Sequence, residues 1–313
     1  MLLLDHPSAS LKAFLVRHPG RDFDRGHGVK LHYLDEGQGE PVVMVHGNPT
    51  WSFYYRNLAE SLVKNGRYRV VVPDHVGCGR SDKPGDDRYD YTLASRVDDL
   101  EKLLDHLGLT QNITLVVHDW GGMIGMTYAA RHPDRIARLV VLNTAAFPLP
   151  RSKWFPWPLR VCRDTKLGAF LVRRANAFAA IAAREGCKRH PMGRDLRSAY
   201  TAPYDTPAHR IATLRFVQDI PLKPTDRGYD LIRQTADALE RFRATPMMIA
   251  WGLRDFVFDR HFLDEWVRRF PDAEVHRFAD CGHYILEDAR DEVIPLVESF
   301  LQAHPLPVGQ GVG

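Results

Sequence analysis

Short apolar runs of strand length alternate along the chain with longer stretches in which apolar positions recur every three or four residues. The first pattern fits buried strands and the second fits helices with one apolar stripe, so together they predict a mostly parallel central sheet with helices on both faces. Predicted strands cover Lys30–Leu34, Pro41–Val45, Arg69–Val72, Ile113–Val117, Ile136–Leu142 and Pro246–Trp251, and a seventh, Glu274–Phe278, precedes the last helix. Predicted helices cover Trp51–Lys64, Leu93–Leu107, Gly121–Arg131, His261–Arg269 and Glu292–Ala303, and the tail from Pro305 to Gly313 reads as frayed. The strand rhythm stops between Pro148 and about Leu239, where Pro and Arg become frequent and helical patches such as Leu167–Ala183 appear. Falling after the fifth strand-like run and before the sixth, this stretch reads as an inserted helical cap that leaves its flanks to form one sheet. The expected division is a core in two parts, residues 1–147 and 240–313, with a cap at residues 148–239.

Composition narrows the class. A chain of 313 residues with 44% hydrophobic and 26% charged residues is expected to be soluble and globular. The apolar start Met1–Leu4 is cut off by Asp5 and His6, and no stretch approaches the roughly 18 to 20 apolar residues that a membrane span needs, so neither signal peptide nor transmembrane helix is expected. Cys78, Cys162, Cys187 and Cys281 show no C-x-x-C spacing, which argues against a disulfide framework or a zinc site and favours a reducing cytoplasm. Nothing in the sequence calls for a cofactor or metal. The net charge is only +3, yet Arg151 to Arg197 holds twelve Lys/Arg against three Asp/Glu, a local charge of +9. Such a segment can attract nucleic acid, an anionic membrane or an acidic protein, or it can be a solvated face whose arginine stems cover apolar surface. No nucleic-acid motif accompanies it.

Three positions carry candidate chemistry. The apolar run from Ile113 leads through His118-Asp119-Trp120-Gly121-Gly122 into a helix, a sharp turn that exposes Asp119 above the sheet and needs small residues after it. This is a nucleophile elbow with Asp in place of Ser, and Val117 departs mildly from the small residue often found two positions earlier. Asp255 opens a loop at the end of the strand Met247–Gly252, the edge where catalytic groups of open α/β sheets gather. His283 lies in the loop between the last strand and the last helix. The chain order nucleophile, acid, histidine is that of the α/β-hydrolase triad. A carboxylate is ionised near pH 7 and needs no base to attack carbon, so the histidine is free to activate water or move a proton, with Asp255 orienting its ring. Asn48 and Trp120 add candidate donors: their backbone N–H groups are expected to face developing charge, and their side-chain N–H groups suit a leaving anion. Ser81, in Gly79-Arg80-Ser81-Asp82, reads as a loop residue.

His46-Gly47-Asn48-Pro49-Thr50, His118-Asp119-Trp120-Gly121-Gly122, Asp255 and Gly282-His283 together resemble the haloalkane dehalogenase superfamily, over about Gly28 to Leu301. The resemblance implies Asp119 as nucleophile, His283 as base, Asp255 as triad acid, and Asn48 with Trp120 as the pair that stabilises the leaving anion. Asn143–Pro148, the Arg-rich cap with Asn176-Ala177-Phe178, and Phe216–Pro221 are similar to the branch of bacterial β-lactone decarboxylases of long-chain olefin biosynthesis. That branch implies a cis-β-lactone with two long alkyl chains as substrate, a cis-alkene and carbon dioxide as products, and a β-lactone synthetase and a reductase as possible partners. Attack on the alkyl carbon and attack on the carbonyl carbon are both open. Decarboxylation requires a dry apolar pocket, for which Trp154, Phe155, Trp157, Phe170, Leu171, Phe178 and Ile181 are the candidate cap residues. The alternatives are a haloalkane dehalogenase, an epoxide hydrolase using Tyr200 and Tyr204 as acids, and a catalytically dead receptor or scaffold.

Overall fold

The computed structural model describes residues 7–306, so the apolar start Met1–Leu4 and most of the expected frayed tail lie outside the described residues. Eight strands form one sheet: β1 (Arg21–Asp24), β2 (Lys30–Gly37), β3 (Glu40–Val45), β4 (Tyr68–Pro73), β5 (Ile113–Asp119), β6 (Ile136–Thr144), β7 (Met247–Gly252) and β8 (Glu274–Phe278). Their order is β1-β2-β4-β3-β5-β6-β7-β8. β1 and β2 run antiparallel to their neighbours, and all pairs from β4 onward are parallel. Val43, Val45, Leu115, Val117 and Val141 pack into one hydrophobic core, and Val42, Met44, Val116, Val140 and Leu142 into a second. Alternate residues thus bury on opposite faces, which is why these strands read as unbroken apolar runs.

The helices are α1 (Ala9–Arg17), α2 (Arg56–Asn65), α3 (Leu93–His106), α4 (Trp120–Arg131), α5 (Trp157–Asp164), α6 (Lys166–Arg173), α7 (Ala177–Glu185), α8 (Arg194–Thr201), α9 (Ile211–Gln218), α10 (Tyr229–Ala238), α11 (Arg260–Arg269), α12 (Ile285–Asp288) and α13 (Arg290–Ala303). Helices α5 to α10 all fall between β6 and β7. Among the described residues no helix is long and apolar enough to cross a membrane.

Several elements escape the periodicity reading, among them β1, α1 and the short helix α12. Strand β1, Arg21-Asp22-Phe23-Asp24, is a largely exposed edge strand without apolar alternation, while α1 buries only Leu11 and Phe14. The patch Leu167–Ala183 is two helices, broken where Asn176 takes the left-handed conformation at φ 52°. The stretch expected as one helix from Trp51 begins instead with a 3-10 turn, Ser52–Tyr55.

The strand order positions the site. From β3 the chain runs outward to β4 and then returns to place β5 on the other side of β3, so the order switches between β3 and β5. Crossovers diverge there and open a crevice beyond the carboxyl ends of the strands, where ligands of open α/β sheets bind.

Candidate active site

Asp119 ends β5 with φ 53° and ψ −127°, backbone angles that a non-glycine residue adopts at a cost of order 1–3 kcal/mol. The elbow is held by close packing: a Cβ on Gly121 would sit 1.9 Å from the Val45 carbonyl oxygen, and one on Gly122 would sit 2.0 Å from Thr144 Oγ1. The Thr144 hydroxyl donates to the Asp119 carbonyl. Val117 is accommodated by Gly125, where a Cβ would lie 2.8 Å from its Cγ1. The larger residue is matched by a missing one in the following helix.

The structure brings Asp119, His283 and Asp255 together at the crevice. His283 Nε2 lies 3.5 Å from Asp119 Oδ2, and His283 Nδ1 is 2.6 Å from Asp255 Oδ2. Asp255 is fixed in turn by Val257 N–H, which donates to Oδ1 at 2.8 Å, and by Asn143 Nδ2, which donates to Oδ2 at 3.1 Å. The same Asn143 amide spans to the end of β7, accepting from Gly252 N–H at 2.8 Å and donating to the Gly252 carbonyl at 3.0 Å.

Charge at this cluster is asymmetric. Burial opposes protonation of His283, but the carboxylates of Asp255 and Asp119 outweigh it and push the pKa up to about 10. The imidazolium is therefore the resting form at neutral pH. Burial would raise the Asp255 carboxyl, yet the facing His283 cation and backbone donors hold it below its ordinary value. Beneath them His118 is pushed down to about 3 by burial and by His283, so it stays neutral and donates from Nε2 to the His283 carbonyl at 2.9 Å.

Asn48 and Trp120 both border Asp119, with one difference from expectation. The Asn48 backbone N–H is not left for substrate: it donates to Asp119 Oδ1 at 2.6 Å. The Asn48 amide donates to the Thr213 carbonyl at 3.2 Å. The Trp120 indole lines the cavity, and no hydrogen bond among the described residues engages its N–H.

Asn48, Asp119, Trp120 and His283 form the floor of a cavity of about 350 Å³ whose walls are almost entirely apolar, among them Phe147, Val217, Ile220 and Phe258. Of the seven cap residues expected to line a pocket, Phe155, Trp157, Leu171, Phe178 and Ile181 do so. Trp154, 92% exposed, and Phe170, 58% exposed, lie outside it. Tyr200 and Tyr204 also lie outside: the first donates to Glu287 Oε1 at 2.6 Å and the second to the Thr50 carbonyl at 3.4 Å. They are structural hydroxyls, which removes the acid pair an epoxide hydrolase requires. Ser81 is buried and donates to the Asp74 carbonyl at 2.6 Å. The four cysteines are free.

Sequence reasoning assigned no supporting role to Asn143, Thr144, His118 or Arg96. Arg96 is fully buried on α3, its guanidinium 3.6 Å over the Phe216 ring, which packs against Trp120, and 3.9 Å from Asp219. Its signal was available, because it falls in the same apolar stripe as Leu93, Val97 and Leu100.

The α/β hydrolase fold family matches residues 40–289. The chain is 61% identical over 281 residues to the cis-3-alkyl-4-alkyloxetan-2-one decarboxylase of Shewanella oneidensis, covering 90% of this chain and 88% of that protein. It is 49% identical over 303 residues to the decarboxylase of the same name from Xanthomonas campestris pv. campestris, covering 93% and 100% respectively. A haloalkane dehalogenase of Mycolicibacterium paratuberculosis is 32% identical over 283 residues, 88% of each chain. In fold, the solved haloalkane dehalogenase of Agrobacterium tumefaciens C58 matches with a TM-score of 0.80 at 23% identity, over 91% of this chain and 97% of that one. A family match across most of the chain and relatives this similar along nearly its whole length establish that the protein belongs to the α/β-hydrolase family, in the haloalkane dehalogenase superfamily that also holds the two decarboxylases.

Proposed function

We propose that this protein decarboxylates cis-β-lactones, the 3-alkyl-4-alkyloxetan-2-ones of its relatives' name, to cis-alkenes and carbon dioxide. The observation that carries the reading is the cavity floor: a carboxylate facing an imidazolium, enclosed by apolar walls. In this reading residues 148–239 act as a cap over that floor.

An oxygen of Asp119 attacks the ring carbon that bears the ring oxygen. The carbon–oxygen bond breaks with release of ring strain, and its electron pair leaves as a carboxylate on the neighbouring carbon, while Asp119 becomes an alkyl ester. The His283 imidazolium and the free Trp120 indole N–H stabilise that new carboxylate. The bond to the carboxylate carbon then breaks, its pair forms the double bond, and Asp119 departs with the ester carbon–oxygen pair. Carbon dioxide and alkene are released with no proton or water consumed. Inversion in the first step and anti departure in the second together convert a cis-lactone into a cis-alkene. Attack on the carbonyl carbon fits less well, because it needs donors around a tetrahedral oxyanion, and the Asn48 backbone N–H that would serve is already held by Asp119.

The electrostatics favour elimination over hydrolysis. The facing carboxylates hold the His283 pKa well above its ordinary value, so the neutral imidazole that would activate water is the minor form at neutral pH. Esterifying Asp119 removes one raising influence, but the larger one, from Asp255, persists. The test is incubation of the purified protein with a long-chain cis-β-lactone, with alkene and β-hydroxy acid measured together. Alkene and carbon dioxide in equal amounts are expected, and β-hydroxy acid as the main product would overturn the proposal.

A further inference from the structure

The surface around the mouth of the cavity carries an unusual arrangement of apolar and basic side chains. Trp154, Trp157, Leu167, Phe170, Ile181 and Phe256 are large hydrophobic residues that remain about half or more exposed. Trp157, Ile181 and Phe256 are at once exposed and part of the cavity lining, so the apolar wall of the cavity continues onto the outer surface.

The basic residues follow the same faces. Helices α5, α6 and α7 pack in succession, α5 on α6 and α6 on α7. On each, an exposed apolar side chain is followed one turn later by an exposed arginine: Trp157 by Arg160, Phe170 by Arg174 and Ile181 by Arg184. Residues three or four apart share a helix face, so within each pair the apolar and the basic side chain lie side by side. Leu167 and Lys166 extend the row on α6, and Trp154 and Arg151 extend it ahead of α5. The acidic residues here are already paired, Asp164 with Arg163 and Glu185 with Lys188 at 2.9 Å. Among the described residues Arg151, Arg160, Lys166 and Arg174 have no carboxylate partner, which leaves uncompensated positive charge beside the exposed apolar side chains.

We infer that this face docks on an anionic lipid bilayer, with the aromatic and aliphatic side chains entering the interface and the arginines meeting lipid phosphates. Tryptophan favours the headgroup level, and basic residues add electrostatic attraction to an apolar patch too small to bind alone. The mouth would then open onto the layer in which an oxetanone with two alkyl chains resides. This purpose rests on the proposed reaction; the docking itself does not.

The test is sedimentation with vesicles of equal parts phosphatidylcholine and phosphatidylglycerol, against vesicles of phosphatidylcholine alone, at low and high ionic strength. Binding is expected to the anionic vesicles and to fall with salt. Changing Arg151, Arg160, Lys166 and Arg174 together to Glu should weaken the partition coefficient on the order of 100-fold or more. Changing Trp154, Leu167 and Phe170 to Ser, none of which lines the cavity, should leave a weak salt-sensitive attraction and abolish quenching by brominated lipid. Both variants should decarboxylate detergent-dispersed lactone at the wild-type rate and lose turnover of lactone delivered in anionic vesicles. Wild-type protein that ignores anionic vesicles, or a Glu variant that binds them equally well, overturns the inference, as does self-association through this face in place of vesicle binding. Vesicle binding without decarboxylation of lactone in any form would sink the proposed reaction and leave the docking standing.

Discussion

Replacing Asp255 with Asn removes a charge at nearly constant volume and isolates what that charge does for His283. Asp255 Oδ1 accepts from Val257 N–H, while Oδ2 accepts from His283 Nδ1 and from Asn143 Nδ2. An asparagine has one oxygen to serve both sides. With its oxygen on Val257, its NH2 meets two donors, and relief comes only when His283 gives up the Nδ1 proton and becomes neutral. The carboxylate of Asp255 is also the largest influence holding the His283 pKa at about 10 instead of 6.5. Without it only the Asp119 carboxylate is left to oppose burial, and the pKa is expected to fall toward 6.5, a loss on the order of a few kcal/mol of preference for the imidazolium. Part of that preference serves the resting state, so the rate loss is expected on the order of 100- to 10,000-fold. The assay is alkene release across the pH range, with melting temperature recorded alongside. Wild-type activity should stay flat to alkaline pH and fall near about pH 10 as the imidazolium deprotonates; the variant should lose its residual activity above about pH 6. Stability carries the same sign. A histidine whose pKa rises on folding contributes stability fully present below the unfolded value and lost as pH climbs through the folded one, here from 6.5 to about 10. The wild type should therefore soften across that window while the variant does not. Variant turnover within tenfold of wild type at about pH 8 would refute the imidazolium's role.

Further expectations concern the same floor. Asp119→Asn should abolish alkene formation while leaving circular dichroism unchanged, and residual turnover above a few per cent would remove Asp119 as nucleophile. Trp120→Phe keeps the ring and deletes the N–H, so a loss on the order of 10- to 1000-fold in kcat is expected, and a wild-type kcat would assign Trp120 to packing alone. In Gly47→Ala the new Cβ would sit 2.0 Å from Asp119 Oδ1 and push the carboxylate off the Asn48 N–H. Its kcat should drop more than about tenfold through misplacement of the nucleophile, and unaltered kinetics would show that the carboxylate tolerates another position. Tyr200→Phe should leave kcat unaltered and lower the melting temperature, since its hydroxyl serves Glu287; a collapse in turnover would revive a tyrosine acid.

The parts of this architecture that could be read in advance are those where one physical demand acts on many neighbouring residues. Strands β3, β5 and β6 are buried almost throughout, and their unbroken apolar runs follow from that. Edge strand β1 escaped because a strand that buries one partly exposed Phe23 imposes almost no pattern. Asp119 was legible through its glycines, since Gly121 and Gly122 face the Val45 carbonyl and Thr144 at distances no Cβ allows. Asn143 was not, because its value lies in bridging Asp255 and Gly252, more than a hundred positions away, and a lone Asn at a strand end carries no record of such a partner. The reassignment of the Asn48 backbone N–H to Asp119 was equally hidden, since a backbone donor leaves no trace in residue identity.

What separates elimination from hydrolysis in such a site follows from which species must change protonation. Hydrolysis of an ester on Asp119 needs a neutral imidazole, a water beside it and a proton relay. Loss of carbon dioxide needs none of these, because each electron pair moves within the substrate or returns to Asp119. In the proposed reaction the closely held Asp255 acts against hydrolysis: by keeping His283 protonated it maintains a cation for the departing carboxylate and withholds a base from water. Apolar walls act in the same direction. They strengthen the imidazolium–carboxylate attraction by excluding solvent, and with alkyl chains filling the cavity they leave little room for a nucleophilic water over the ester. In the proposed reaction, then, the outcome at Asp119 is set by the charge state of His283 and the dryness of the walls, and both are properties of groups around the proposed nucleophile more than of Asp119 itself.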